Sequence, residues 1–315
     1  MRRLDIKRHL RPSDLEAVSG LLALAEAADG HPAVDEHRWL DMAQGGREAF
    51  AGLVAWEPGH GHPVAYAQVS RGLHSWALDL VVDPHHRYDA LTIGPEMLHA
   101  ALDVVEDEGG GHVHWWVHQP TGAHDAMAGA AGLTRGRDLL QLRLPLPLRR
   151  ANEQDAGRPG RSGIALRAFV PGVDEEAWLE VNNRAFAWHP EQGGWDLETL
   201  REREREPWFD PEGLLLHERD GRLAASCWTK VHADHDPPLG EIYVIAVDPD
   251  FQGLGLGREL VVAGLDLLAE RGLRHGMLYV DADNAPAVGL YEDLGFSRDH
   301  VDRAYVGDIG SPTIS

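Results

Sequence analysis

The chain has 315 residues, a length that suits two domains, each with enough apolar side chains for its own core. Twenty-nine basic against 51 acidic residues leave a net charge of −22, and the acid is concentrated late: residues 1–150 carry 14 basic and 20 acidic groups, residues 151–315 carry 15 and 31. Such a surface repels phosphate backbones and anionic bilayers, so neither nucleic acid nor a membrane is an expected partner, and an anionic ligand would need a local device to hold it.

Cys227 is the only cysteine, which excludes an intrachain disulfide and a cysteine-based zinc site. The 19 histidines show no HExxH spacing, and no metal is expected. The N-terminal stretch MRRLDIKRHLRPSDLEAV is charged without an apolar core, and no run of 18 apolar residues follows. The expectation is a soluble cytoplasmic protein.

In chain order, the first half offers a strand ending at Val81-Val82-Asp83-Pro84, then a loop His86-RYDALTIG. His112, His114 and His118 alternate as strand residues do, and read as surface or core histidines. Gly132-Leu133 lies near the end of this half. Pro145 to Gly163, PLPLRRANEQDAGRPGRSG, has linker composition, and apolar patterning resumes at Ile164.

The second half reads as helices over Asp174–Phe186 and around Leu197–Glu206, then a hairpin from Gly213 turning at Asp220-Gly221. Glu241 to Val247 is a β-branched and aromatic strand closed by Asp248-Pro249. A helix follows from Arg258 to Gly272, a strand from Met277, a short helix from Pro286 to Leu294 capped by Asn284 and stopped by Gly295, and a last strand near Arg303.

The two halves share an order. Val81-Val82-Asp83-Pro84 matches Ala246-Val247-Asp248-Pro249 at an offset of 165, and Gly132-Leu133 matches Gly295-Phe296 at 163. Both run strand, turn, helix, strand, helix between these anchors, which suggests a duplicated domain. Only that stretch has the crossover that parallel pairing needs, so each sheet should be mixed in an α/β (α+β) fold. The expected domains are 1–146 and 164–315, with a linker at 147–163.

Gln252-Gly253-Leu254-Gly255-Leu256-Gly257 follows a strand and opens a helix, with Arg258 next. Glycines let the backbone turn tightly, and N–H groups at a helix start present partial positive charge. The result is an anion cradle suited to a pyrophosphate, the local device that the acidic surface demands. No Gly-Lys-Ser/Thr follows, so it is not a Walker loop. A dinucleotide loop, with Asp281 as its acidic partner, and a plain tight turn remain open on the glycines alone.

The context adds a resemblance. Gln-x-x-Gly-x-Gly after a strand, then helix, strand, Asn284 and Tyr291-EDLGF resembles the GNAT superfamily of N-acetyltransferases. The match is strong over about 60 residues, and two tandem copies would cover most of the chain. A narrower resemblance is carried by Val181-NNRAFAWHPEQGGW, Trp208-FDPEGLLL, Trp228-TKVHADHDPPLGEIYV and Leu278-YVDADNAPAVGLYEDLGF, which are similar to the mycothiol synthase family.

The resemblance implies two tandem GNAT domains, each with a mixed, mostly antiparallel sheet flanked by helices. It implies acetyl-CoA as cosubstrate and a monomer acting on a small amine, the cysteinyl amine of a Cys-glucosamine-inositol pseudodisaccharide. Glu241 would be the general base and Tyr291 the general acid. Backbone groups of Ile245, Ala246 and Val247 would meet the pantetheine arm and thioester. Gln252, Gly253, Leu254, Gly255, Leu256, Gly257 and Arg258 would hold the pyrophosphate, and Asn284, Ala285, Pro286, Ala287, Val288 and Gly289 the rest of the coenzyme. Glu36, Glu191, Lys230, Glu241 and Tyr279 match substrate-contact positions.

In the first half the 165 offset puts Trp76 where Glu241 stands, and the 163 offset puts Ala128 where Tyr291 stands. That domain is expected to be catalytically inactive and without bound coenzyme. Two other functions stay open: a GNAT enzyme for another amine, such as an aminoglycoside or a peptide N-terminus, and a non-catalytic acyl-CoA sensor.

Overall fold

A computed structural model describes residues 3–31, 33–34, 42, 49–57, 59, 62–72, 75–148, 163–187, 193–233, 235 and 237–310, with backbone alone at 88–92. In chain order the elements are β1 (Arg3–Lys7), α1 (Pro12–Asp29), β2 (Phe50–Trp56), β3 (Ala65–Arg71), β4 (Trp76–Val82), α2 (Ala90–Asp107), β5 (Gly111–His118), α3 (Gly122–Ala130) and β6 (Thr134–Pro145). They continue with β7 (Arg167–Ala168), α4 (Glu175–Ala185), α5 (Leu197–Glu204), β8 (Leu214–Arg219), β9 (Arg222–His232), β10 (Leu239–Val247), α6 (Leu256–Glu270), β11 (His275–Asp281), α7 (Ala285–Asp293) and β12 (Ser297–Ile309).

The chain forms two compact units, residues 1–138 with 301–315, and residues 139–300. This division does not follow the expected halves 1–146 and 164–315. The reason lies in two long antiparallel ladders. β12 pairs with β5 from Asp302–His118 to Ile309–Gly111, and β6 pairs with β11 from Leu139–Asp281 to Pro145–His275. A strand belongs with the partners that satisfy its backbone N–H and C=O groups, whatever its place in the chain. The last strand of each sequence half is therefore shared out to the other. Most of the expected linker, 149–162, lies outside the described residues.

In the N-terminal unit the strand order is β1-β2-β3-β4-β5-β12, and in the C-terminal unit β6-β11-β10-β9-β8-β7. Only β4–β5 and β10–β11 pair in parallel, so each sheet is mixed and mostly antiparallel, as expected. Histidines of β5 meet aspartates of β12: His112 Nδ1 lies 2.8 Å from Asp308, and His118 Nδ1 2.7 Å from Asp302.

The C-terminal unit shows why these residues form these elements. Asp220 (φ 53°) and Gly221 (φ 75°) make the two-residue hairpin turn between β8 and β9, a conformation that needs positive φ at both positions. Asp196 caps α5 by accepting from Thr199 N, and Asn284 caps α7 by accepting from Ala287 N. Asp174 precedes α4 and accepts from Nη1 and Nη2 of Arg167, which hold its carboxyl below the usual carboxylate range.

One face of this sheet packs on α6 through Leu142, Leu144, Cys227, Ile242 and Leu278. A Cβ at Gly264 of α6 would stand 2.6 Å from Ile242 Cδ1 and 2.8 Å from Cys227 Sγ, so glycine there sets how closely the helix approaches. The opposite face carries a cluster of Phe169, Trp178, Leu200, Leu214, Leu216, Trp228 and Val244 under α4 and α5. Among the described residues, no helix is long and apolar enough to cross a membrane.

Candidate active site

The site is built where β10 and β11 part. The two strands pair only at Gly240–Gly276, Glu241–Met277 and Ile242–Leu278, although β10 runs on to Val247 and β11 to Asp281. β9 stays with β10 to Val247–Ala225, and β6 stays with β11 to Asp281–Leu139. Past Leu278 the sheet is thus forked, and the inner edge of β10 faces the fork.

A β-bulge coincides with the fork. Thr229 pairs Ile242 and Trp228 pairs Val244, so Tyr243 is an extra residue in β10. A bulge shifts the alternation that follows it. Ile242 and Ile245, three apart, accordingly both pack on the α6 side, while Tyr243 and Val244 share the other. Ile245, Ala246 and Val247 lie along the fork as expected. Ala246 is buried; the other two are half-buried.

Below the fork the chain turns at Asp248, which is fully buried. Its carboxylate caps the turn Pro249–Phe251 through Asp250 N and meets Arg184 Nε at 2.8 Å. Gly253 (φ 77°) and Gly255 (φ 78°) then bring the chain to the start of α6 in left-handed conformations that a side chain would strain. Gln252 Nε2 donates to Val247 O at 3.3 Å.

Gln252, Gly253, Gly255, Leu256, Gly257 and Arg258 line a cavity of about 310 Å³ with Val247, Phe251 and Leu290. The N–H groups of Leu256, Gly257 and Arg258, in the first turn of α6, precede the first intrahelical bond, Glu259 N to Gly255 O. They supply positive potential for an anion in a chain of the opposite sign. Leu254 is half exposed and outside this lining. Of α7, Leu290 lines the cavity. Asn284, Ala285, Pro286, Ala287, Val288 and Gly289 form its cap and first turns instead, with Ala287 and Val288 packed on the core.

Glu241 is 6% exposed and sits one residue before Ile242, the last paired step before the bulge. His232 Nε2 lies 2.7 Å from its Oε2. The contact follows from register: Lys230 is opposite Glu241, and His232, two residues on, is its diagonal neighbour on the same face. Lys230 Nζ lies 4.4 Å from the Trp208 ring centre and 5.6 Å from that of Tyr243, so aromatic faces hold the ammonium beside Glu241. Tyr279 of β11 shares this face, two residues beyond Met277, and is 39% exposed.

Tyr291 of α7 is buried in the core with Phe251, Leu256 and Phe296. Burial, and secondarily the Cys227 thiol, push its phenol up to about 12 from the ordinary value of 10.0, so it keeps its proton at any physiological pH. Glu36 and Glu191 lie outside the described residues.

The N-terminal unit repeats the frame without this chemistry. β4 and β5 also pair in parallel for three residues only, Trp76–Val113 to Leu78–Trp115. Its ladder from Ala65–Val82 to Arg71–Trp76 is unbroken by a bulge. Counted from Val82 and Val247, the residue opposite Ser70 corresponds to the one opposite Lys230. Glu241 therefore matches Ala77, not Trp76, because the bulge absorbs one residue. Ala128 keeps the expected place: α3 (Gly122–Ala130) and α7 (Ala285–Asp293) are offset by 163 throughout.

A backbone cradle at a helix start beside a forked sheet suits an extended anionic ligand. The acetyltransferase (GNAT) family model matches residues 178–296. A mycothiol acetyltransferase of Acidimicrobium ferrooxidans is 45% identical over 293 residues, which span 91% of this chain and 92% of that one. This chain belongs to the mycothiol acetyltransferase family. It is an N-acetyltransferase of GNAT type. The same fold is found in a GCN5-related N-acetyltransferase from Sphaerobacter thermophilus (TM-score 0.73, 23% identity, 98% of this chain and 96% of that one). It is found again in a tandem GNAT protein from the clavulanic acid biosynthesis pathway (TM-score 0.69, 19% identity, 98% of this chain and 99% of that one). Members of the GNAT family use acetyl-CoA, and the α6 cradle and the fork fit its pyrophosphate and its extended arm.

Two sets of residues escaped sequence reasoning. His232 was within reach, since it follows Lys230 by two in a strand and so shares its face. Gln141 and Arg143 of β6 were not, because β6 belongs by sequence to the first half.

Proposed function

We propose that the C-terminal unit transfers the acetyl group of acetyl-CoA to the cysteinyl amine of Cys-glucosamine-inositol, giving mycothiol and CoA. The observation that carries this reading is a buried carboxylate, Glu241, held by His232 at the fork and flanked by Lys230 and Tyr279. The relatives' name, mycothiol acetyltransferase, supports acetyl transfer in the making of mycothiol, and the pseudodisaccharide amine is the acceptor this reading assigns.

In this reading Glu241 takes the proton of the ammonium, freeing the amine lone pair to attack the thioester carbonyl. A carboxylate with one oxygen fixed by an imidazole presents the other in a set direction. Backbone N–H groups of β10 along the fork, around Ile245 and Val247, stabilise the oxygen that gains charge. The C–S bond breaks as the amide forms; Tyr291 gives its proton to the departing thiolate, and the second proton that the attacking nitrogen sheds restores the phenol. The α6 cradle, Gln252 through Arg258, binds the pyrophosphate, and the first turns of α7 support the remaining coenzyme. The hydroxyl-rich acceptor meets Lys230 and Tyr279. The N-terminal unit, with Ala77 and Ala128 at the matching places, takes no part in the chemistry.

The test is thiol release from acetyl-CoA with the desacetyl pseudodisaccharide, beside cysteine, glucosamine, an aminoglycoside and a peptide amine. Turnover at least tenfold higher in kcat/KM with the pseudodisaccharide supports the reading. A preference for another amine redirects it, and no transfer to any amine favours an acyl-CoA sensor.

A further inference from the structure

Both units build the same turn, after β4 in one and β10 in the other. Asp248 is 1% exposed and accepts from Asp250 N at 2.9 Å. Asp83, its counterpart at the 165 offset, is wholly buried and accepts from His85 N at 2.8 Å. The cations beside the two carboxylates differ. Asp83 meets imidazoles, His85 Nδ1 at 3.0 Å and His62 Nδ1 at 3.4 Å, which are charged only when protonated. Asp248 meets guanidiniums, which are charged at any physiological pH. Arg184, in the last turn of α4, places Nε 2.8 Å from Asp248 Oδ2 and Nη2 3.0 Å from Asp250 Oδ2. Arg222, at the start of β9, places Nη1 3.2 Å from Asp250 Oδ2 and Nη2 3.9 Å from Asp248 Oδ2.

The turn itself therefore does not require arginine, since Asp83 makes the same cap beside histidines. What sets the C-terminal turn apart is its neighbour. Val247 and Phe251, which flank it, line the cavity of the α6 cradle, whereas Asp248, Arg184 and Arg222 do not. The cradle draws an anion with the partial charge of a helix start, about half an elementary charge, and with Arg258. A carboxylate buried four residues before Gln252 carries a full charge of the wrong sign, and protein surroundings screen it far less than water would. Uncompensated, it would cancel much of the attraction. The two guanidiniums offset it from outside the cavity lining.

We propose that Arg184, with Arg222 secondary to it, is a positioning residue for the coenzyme: acting through Asp248, it neutralises and fixes the turn so that the α6 cradle can accept a diphosphate. The proposal rests on the reading that this cradle binds the pyrophosphate of acetyl-CoA.

The experiment measures Kd on the full chain, by titration calorimetry, for acetyl-CoA and for S-acetylpantetheine, which lacks the diphosphate and the nucleotide. Arg184→Met should weaken acetyl-CoA about tenfold and leave S-acetylpantetheine within about twofold, because only the first brings negative charge to the cradle. Asp248→Asn keeps an oxygen for Asp250 N and removes the charge. Added to Arg184→Met, it should bring acetyl-CoA back to within about threefold of wild type. Asp250→Asn, at an exposed position, should tighten acetyl-CoA about twofold, a gain that damage to the fold does not produce. It decides the matter if Arg184→Met does not fold.

Equal losses for the two ligands in Arg184→Met would make the ion pair a brace of the fold and overturn the proposal. A double variant that binds acetyl-CoA no better than Arg184→Met overturns it as well, and so does an Asp250→Asn chain that binds acetyl-CoA no tighter than wild type. If the wild-type chain binds the two ligands equally, the cradle does not hold the diphosphate, and that failure belongs to the proposed function.

Discussion

The two units share a ladder and differ in one residue of slack. β9 and β10 accommodate an extra residue at Tyr243; β3 and β4 do not. Both units fork their parallel pair after three steps, so the fork comes with the fold. Among the described residues, the bulge, the buried carboxylate beside it, the glycine turns before α6 and the phenol of α7 occur together only in the C-terminal unit. Topology thus provides the fork in both units, and a few positions change what lines it.

The strongest way to break this comparison is Glu241→Gln. It should lower kcat about 100- to 1,000-fold, the range for removing a general base, with KM for acetyl-CoA nearly unchanged. Thiol release at saturating acceptor reads it, and a kcat within threefold of wild type would remove Glu241 from the role.

His232→Ala should lower kcat about tenfold or more by leaving Glu241 without its fixed partner, and His232→Gln, which keeps an N–H near the same place, should restore most of the loss. Equal damage from both variants would mean that the imidazole does more than orient.

Gly264→Ala tests the packing beneath the site. Its Cβ would press on Ile242 and Cys227, and overpacking of this kind costs about 1–3 kcal/mol, read as a lower urea midpoint with unchanged slope.

The smallest effect concerns pH. Tyr291 keeps its proton in the fold to about 12, whereas an unfolded phenol loses it near 10.0. Between those values the unfolded state binds fewer protons, so this contribution to stability is complete below pH 10 and lost as pH rises through about 12. Tyr291→Phe should flatten that part of the decline in urea midpoints, and an unchanged slope would place the phenol in water. In the N-terminal unit Ser70→Ala, at the place corresponding to Lys230, should leave kcat unaltered in the same assays.

Local patterns made much of this molecule legible. The strand to Val247, the glycine turn, the α6 and α7 helices and the Asp220-Gly221 hairpin could be read because each rests on neighbours in sequence: alternation, caps and positive-φ turns. The duplication was legible for the same reason, whereas Glu241, Lys230 and Tyr279 were singled out through the resemblance of their segments to the family.

Tertiary structure alone decided which strands pair and where the ladder slips. Hydrogen bonding between distant strands gave β6 to β11 and β12 to β5, moving the unit boundaries to 138 and 300. It also brought Gln141 and Arg143, residues of the first half, beside Tyr279 of the second. The bulge at Tyr243 moved the counterpart of Glu241 from Trp76 to Ala77, because a constant offset in sequence is not a constant register in a sheet. Local chemistry writes strands and turns into short windows of sequence; which backbone satisfies which is settled only when the whole sheet closes its hydrogen bonds.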